Sequence, residues 1–255
     1  MVIAAFMFLN EFDVLEIFLR ETESVVDRYV IVEADRTFTY NPKPFHLLEQ
    51  RDRFAPWWER FRRVEVTNVP PKLNAHRRDA WNRDCVVRGL QDAGPADTVI
   101  LCDCDEIPRA DAIRGYKPVD GFKSLAMSMH HYYLNVRTDE RWIAPKILPG
   151  HVARKVGATS LRLTRTNPPV IENAGWHFSS VGGAEQLDYK TKSFAHADQP
   201  HHADEVRGVR DGTWIPRFGR LTATPIDETY PKFVRENVPL MRERGLVYDP
   251  PFNDA

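Results

Sequence analysis

Three cysteines in 255 residues are too few for a disulfide framework, and an odd number cannot all pair. Cys102 and Cys104 sit two apart on an extended segment, without the Cys-x-x-Cys spacing of a zinc site. The thiols are therefore expected to be small buried fillers in a reducing, cytoplasmic setting. No sign of charge dominates either: 35 Lys and Arg against 36 Asp and Glu leave a formal net charge of −1. A nucleic-acid footprint needs a segregated basic face, and only His76-Arg77-Arg78 with Arg83 approaches one. Long hydrophobic runs are missing as well. Met1 to Leu9 is apolar but short, has no basic n-region, and runs into Glu11, Asp13 and Glu16. That argues against a signal peptide or membrane span. Repeats and low-complexity tracts are absent.

What is present reads as one α/β domain over residues 1–255. Val2 to Leu9 and Tyr29 to Glu33 are buried-strand runs, and Phe12 to Glu23 carries Val14, Leu15, Phe18 and Leu19 at helical spacing. Asn41-Pro-Lys-Pro44 marks a loop. A short helix over Phe54 to Phe61, a strand from Arg63 to Val69 and a long helix from His76 to Leu90 follow. This alternation predicts a doubly wound, mostly parallel sheet with flanking helices, built from residues 1–108. The half from 109 to 255 is less regular and is expected to complete the pocket. It offers strands at Phe122 to Asn135, Leu161 to Thr164 and Val170 to Ser179, and helices at Glu185 to Phe194 and Tyr230 to Arg244.

The most informative stretch is Thr98-Val-Ile-Leu-Cys-Asp-Cys-Asp-Glu-Ile-Pro108. A buried strand empties into Asp103, Asp105 and Glu106 where ligands bind in open α/β sheets. Three acids in four positions repel one another unless a cation sits among them. A hard divalent ion that completes its shell with water and substrate phosphates is the economical reading; a solvated turn of acids is the plain alternative.

Asn173-Ala-Gly-Trp-His-Phe-Ser-Ser-Val-Gly-Gly183 is the second such stretch. His177 reads as a third metal ligand or phosphate donor, or else as a core histidine bonded to backbone. Glu185 falls on the first turn of the next helix, where the macrodipole favours a carboxylate. Lys190, Lys192 and His196 follow; a lysine lining a diphosphate site would neutralise leaving-group charge. Arg78, Arg83 and Arg88 do not share one helix face, yet one of them could turn inward to the strand-end acids. His130-His131-Tyr132-Tyr133 alternate faces on an extended segment, one face suited to stacking on a sugar or base.

Taken together, Phe8 to Ile17, Val26 to Glu33, Lys43-Pro44, Ile100 to Pro108 and Ala174-Gly-Trp-His177 resemble glycosyltransferase family 17, in order and spacing across roughly residues 6 to 200. The resemblance implies a GT-A fold and an inverting transfer of a sugar, N-acetylglucosamine by expectation, from a UDP-sugar to an acceptor hydroxyl. It implies that Asp103 and Asp105 form an Asp-x-Asp motif holding Mn²⁺ or Mg²⁺ and reaching the ribose, with His177 or His196 as the C-terminal metal ligand. Asn10, Glu11, Glu33, Arg83, Trp176 and Lys190 are expected around the donor. Glu185 is the first candidate for the base, with Glu106 second. The family's anchor and stem find no match, pointing to a soluble bacterial or viral relative.

Two other readings stay open on the residues alone. A metal-dependent phosphoesterase or nucleotidyltransferase would also use an acid cluster, though with more His and Asp ligands. A carbohydrate-binding module would need no nucleotide half. The acceptor, a glycan or other glycoconjugate with modified nucleic acid as a further option, is not written in these motifs.

Overall fold

The computed structural model describes residues 1–164, 168–194, 202–211 and 221–249. In chain order these form β1 (Val2–Met7), α1 (Phe12–Thr22), β2 (Arg28–Ala34), α2 (His46–Glu49), β3 (Phe61–Val66), α3 (Ala75–Asp84), β4 (Thr98–Leu101), β5 (Glu106–Pro108), α4 (Ala110–Arg114), β6 (Lys123–His131), β7 (Val136–Trp142), β8 (Lys146–Pro149), α5 (Gly150–Val156), α6 (Ala158–Arg162), β9 (Val170–Ser179), α7 (Gly183–Ser193), α8 (His202–Asp211), β10 (Thr222–Ala223), α9 (Lys232–Glu236) and α10 (Val238–Glu243).

The period-2 alternation of the first strands builds two cores at once. Ala4, Phe6, Tyr29, Ile31 and Ile100 face one side of the sheet, where α1 lays down Val14, Leu15, Ile17, Phe18 and Leu19. Ile3, Ala5, Val30, Val32, Val99 and Leu101 face the other, against Val86, Leu90, Ala153 and Leu161. Both faces being covered explains why these strands read as unbroken apolar runs. Gly89 is required on the second side, because a Cβ there would lie 2.3 Å from the Val30 side chain.

The strand order is β10-β7-β6-β8-β4-β1-β2-β3, with β9 beside β6 and β5 on β9. The segment β3-β2-β1-β4 is parallel. The connections from β1 run outward to β2 and β3 on one side and back to β4 on the other. That reversal opens a crevice at the carboxyl ends of β1 and β4. Beyond β4 the sheet turns antiparallel through β8, β6 and β7, while β9 returns parallel to β6.

Three sequence expectations are corrected. Leu161 to Thr164 is not a strand: Ala158–Arg162 is a helical turn, and burial of Ala158 and Leu161 against the second core holds it there. The helix expected to Leu90 stops at Asp84, and Cys85–Gly89 continues as a tighter 3₁₀ turn. Tyr230 to Arg244 divides into α9 and α10 at Asn237, and Pro239 has no N–H to carry a helix through. The short strand β5 was not anticipated. It brings the two distinctive motifs together, pairing Glu106 with His177, Ile107 with Trp176 and Pro108 with Gly175. A Cβ on Gly175 would sit 2.1 Å from the Ile107 carbonyl oxygen, so only glycine allows this approach.

Candidate active site

A cavity of about 550 Å³ opens at the carboxyl ends of β1, β2 and β4, walled by α3, α7 and the β6–β7–β9 face. Asp103 and Asp105 lie on its floor. Their charge is met from within the protein. Arg83 of α3 bonds Asp103 Oδ1, and Arg162, at the end of α6, reaches Asp103 Oδ2 at 2.8 Å. Lys190 of α7 donates to Asp105 Oδ2 at 2.8 Å. His177 Nε2 stands 3.5 Å from Asp105 Oδ1.

Burial alone would raise the pKa of both aspartates, but the cations outweigh it. Arg162 and Arg83 hold Asp103 below the usual carboxylate range, and Lys190 with His177 depress Asp105 further. Lys190 and Arg162 are buried too, yet their carboxylate neighbours raise both above their ordinary values. The cluster is therefore ionised as paired charges, the form in which buried charges are tolerated.

Glu106 completes the floor from beneath. It is fully buried and accepts from the Asp103 backbone N–H at 2.7 Å. Arg162 bonds both its oxygens, at 2.5 and 2.8 Å, and the Trp142 indole N–H donates at 2.5 Å. With both oxygens occupied and no face on the cavity, Glu106 positions Arg162 and Trp142. That is a different task from proton abstraction.

The other expected residues divide. Glu11, Arg83, Asp103, Asp105, His177 and Lys190 line the cavity. Glu11 accepts from the Leu9 and Asn10 backbone N–H groups and lies 4.0 Å from Lys190. Asn10 pairs instead with Gln186 through two amide bonds of 3.1 and 2.7 Å. Glu33 is buried away from the wall, binding Lys43 at 3.0 Å and capping α2 through the His46 and Leu47 N–H groups. Trp176 points to the opposite face of β9 from His177, as alternation requires; its N–H donates to the Thr229 carbonyl and Arg109 covers its ring at 3.9 Å. Glu185 is exposed on α7 and off the cavity wall. His196 lies outside the described residues.

The repulsion argument for a metal changes accordingly. All four oxygens of Asp103 and Asp105 face protein cations or an imidazole. Among the described residues no three His, Cys, Asp or Glu side chains converge as a metal centre. The donor set as arranged does not fit a metal resident on protein ligands. Arg162, Trp142 and Arg36 were missed by sequence reasoning. Arg36 lines the wall with its guanidinium over the Tyr40 ring at 4.7 Å, whereas the expected strand over Leu161 to Thr164 hid Arg162. The three cysteines are free and buried, and no helix among the described residues is long and apolar enough to cross a membrane.

Comparison with known proteins now bears on this geometry. The human β-1,4-mannosyl-glycoprotein 4-β-N-acetylglucosaminyltransferase is 30% identical over 89% of this chain and 52% of its own length. The rat enzyme of the same name is 30% identical over 48% of this chain and 24% of its own. The chain thus spans about half the length of the human relative. Among solved structures, HddC from Yersinia pseudotuberculosis superposes with a TM-score of 0.38 at 9% identity, over 70% of this chain and 89% of that one. The sequence profile of glycosyltransferase family 17 matches residues 1–210, which hold every described element of the cavity, and the chain belongs to that family.

Proposed function

We propose that the protein transfers N-acetylglucosamine from UDP-N-acetylglucosamine to a hydroxyl of a glycan or similar glycoconjugate, within a GT-A-type arrangement. One observation carries the proposal: in a family 17 chain, Asp103 and Asp105 sit at the crevice beside β1 and β4 with Arg83, Arg162 and Lys190 converging on them. The apolar strand ends at Met7, Val32 and Ala34 suit a base. Arg36 and Lys190 supply positive charge on the wall for a diphosphate. In the reaction the sugar C1–O bond breaks with its electron pair leaving on the diphosphate. The acceptor oxygen bonds to C1 and gives up its proton to solvent water. Lys190 and the arginines stabilise charge that grows on the leaving group, where preorganised cations lower the barrier most. The paired cations also keep the aspartates ionised and fixed, so they do not have to reorganise as the substrate enters.

The test is a panel of nucleotide sugars with glycan acceptors, scored for released nucleotide and for the anomer of the product by NMR. Release of UDP from UDP-N-acetylglucosamine, with a β-linked product, supports the proposal. Release of sugar 1-phosphate or of a nucleoside monophosphate would replace it with phosphoester chemistry.

A further inference from the structure

The wall opposite the strand ends of β1 and β2 carries an indole that the proposed reaction does not use. Trp142 ends β7 and is partly exposed on the cavity. Its ring cannot turn freely. The N–H is tied to the fully buried Glu106 at 2.5 Å, the His177 ring packs against it at 4.7 Å and 37°, and the Arg162 guanidinium lies 5.9 Å from its centroid. Two of these restraints also belong to the aspartate cluster: Arg162 bonds Asp103, and His177 faces Asp105. The indole is therefore preset beside the floor.

We infer that Trp142 is the stacking platform for the pyranose ring of the donor, an inference that rests on the proposed nucleotide-sugar reading. A pyranose has an apolar face of axial C–H groups and a polar rim of hydroxyls. An immobilised indole buries that face at little entropic cost, while neighbouring charged and hydroxyl groups meet the rim. Asp103, His177 and Ser179 all line the same cavity. The choice of sugar over base follows from the layout. The ligand has a base at one end, a sugar at the other and the diphosphate between. The apolar strand ends of β1 and β2 and the wall cation Arg36 lie on the far side of the aspartates from β7. With the base at the strand ends, the sugar reaches Trp142.

Titration calorimetry of the full chain with UDP and with UDP-N-acetylglucosamine tests this, using wild type, Trp142→Ala and Trp142→Phe. The Ala variant should weaken UDP-N-acetylglucosamine about tenfold relative to UDP, whose own affinity stays within about twofold. The Phe variant, which keeps a ring and loses the N–H, should recover most of the difference. Equal weakening of both ligands, or an unchanged ratio in Trp142→Ala, would overturn the inference and, in the first case, put the base on this wall. If Trp142→Ala does not fold, the Phe variant set against Trp142→Leu decides on the same ratio. Saturation-transfer NMR with free N-acetylglucosamine separates the two readings. Sugar contact that needs Trp142, in a protein that binds no nucleotide, would keep the platform and remove the proposed donor. No contact in wild type together with no nucleotide binding would remove both.

Discussion

Glu106 and Arg162 form a two-point ion pair, 2.5 and 2.8 Å, beneath the floor of the cavity, with the carboxylate fully buried. Removing one charge of such a pair leaves the other stranded in a low-dielectric interior, and the loss is typically about 3–5 kcal/mol. Glu106→Gln is expected to lower stability by that order in urea unfolding. A loss below about 1 kcal/mol would show that Asp103, which Arg162 also meets at 2.8 Å, suffices as its counter-charge.

Lys190 is the cation of Asp105, so Lys190→Gln should weaken UDP binding about tenfold while leaving the fold intact by circular dichroism. Because Arg83, Arg162, Lys190 and the His177 imidazole meet all four oxygens of Asp103 and Asp105, Mn²⁺ without nucleotide should bind no more tightly than millimolar, and UDP should still bind in EDTA. Tight Mn²⁺ binding to the nucleotide-free protein would contradict the assignment of these cations.

Glu185 is exposed and off the cavity wall. Glu185→Gln is therefore expected to retain transfer within about threefold, measured as UDP release with acceptor present. Abolished turnover with donor binding kept would return Glu185 to the role of base.

Burial holds His130 neutral, lowering its pKa to about 3, and His131 to about 4. Both fall below the ordinary value of about 6.5, so the unfolded chain takes up protons first as pH drops. Stability is complete above pH 6.5 and falls from there toward pH 4. The loss between pH 7 and pH 5 should be about 2 kcal/mol for each histidine. Asp103 and Asp105, likewise held below their ordinary value, add their loss only at lower pH, as the unfolded carboxylates take up protons first. A melting temperature that stays flat from pH 7 to pH 5 would contradict this reading.

Gly175→Ala would drive a Cβ into the Ile107 carbonyl, a contact with rigid backbone. The β5–β9 ladder should open, with early amide exchange at Arg109 and Phe178, whose N–H groups donate across it to the Ala174 and Asp105 carbonyls. Retained protection there would mean the two strands accommodate the added Cβ without losing their pairing.

The sequence carried the parallel half of the sheet well, because strands buried on both faces leave short, β-branched apolar runs bounded by acids or breakers. Asp103 and Asp105 were legible for the same reason, standing where such a run stops. Arg162 was not. Its segment, Leu161 to Thr164, is short and mixed, and four residues do not distinguish one helical turn from a strand. The burial of Glu106 was not legible either, because adjacency in sequence to the aspartates says nothing about which side of the chain an acid faces. From the sequence a divalent ion was expected among the acids; in the fold, side chains remote in sequence, Arg83, Arg162 and Lys190, meet them.

The pairing across the floor divides the labour of the chain in an unexpected place. The aspartates lie before Pro108, whereas Arg162, His177 and Lys190 come from beyond it. A fragment ending at Pro108 would carry the acids with only Arg83 to meet them, and an anionic ligand would find a repulsive mouth. The cavity becomes receptive only when the later elements have docked, so competence to bind reports complete folding.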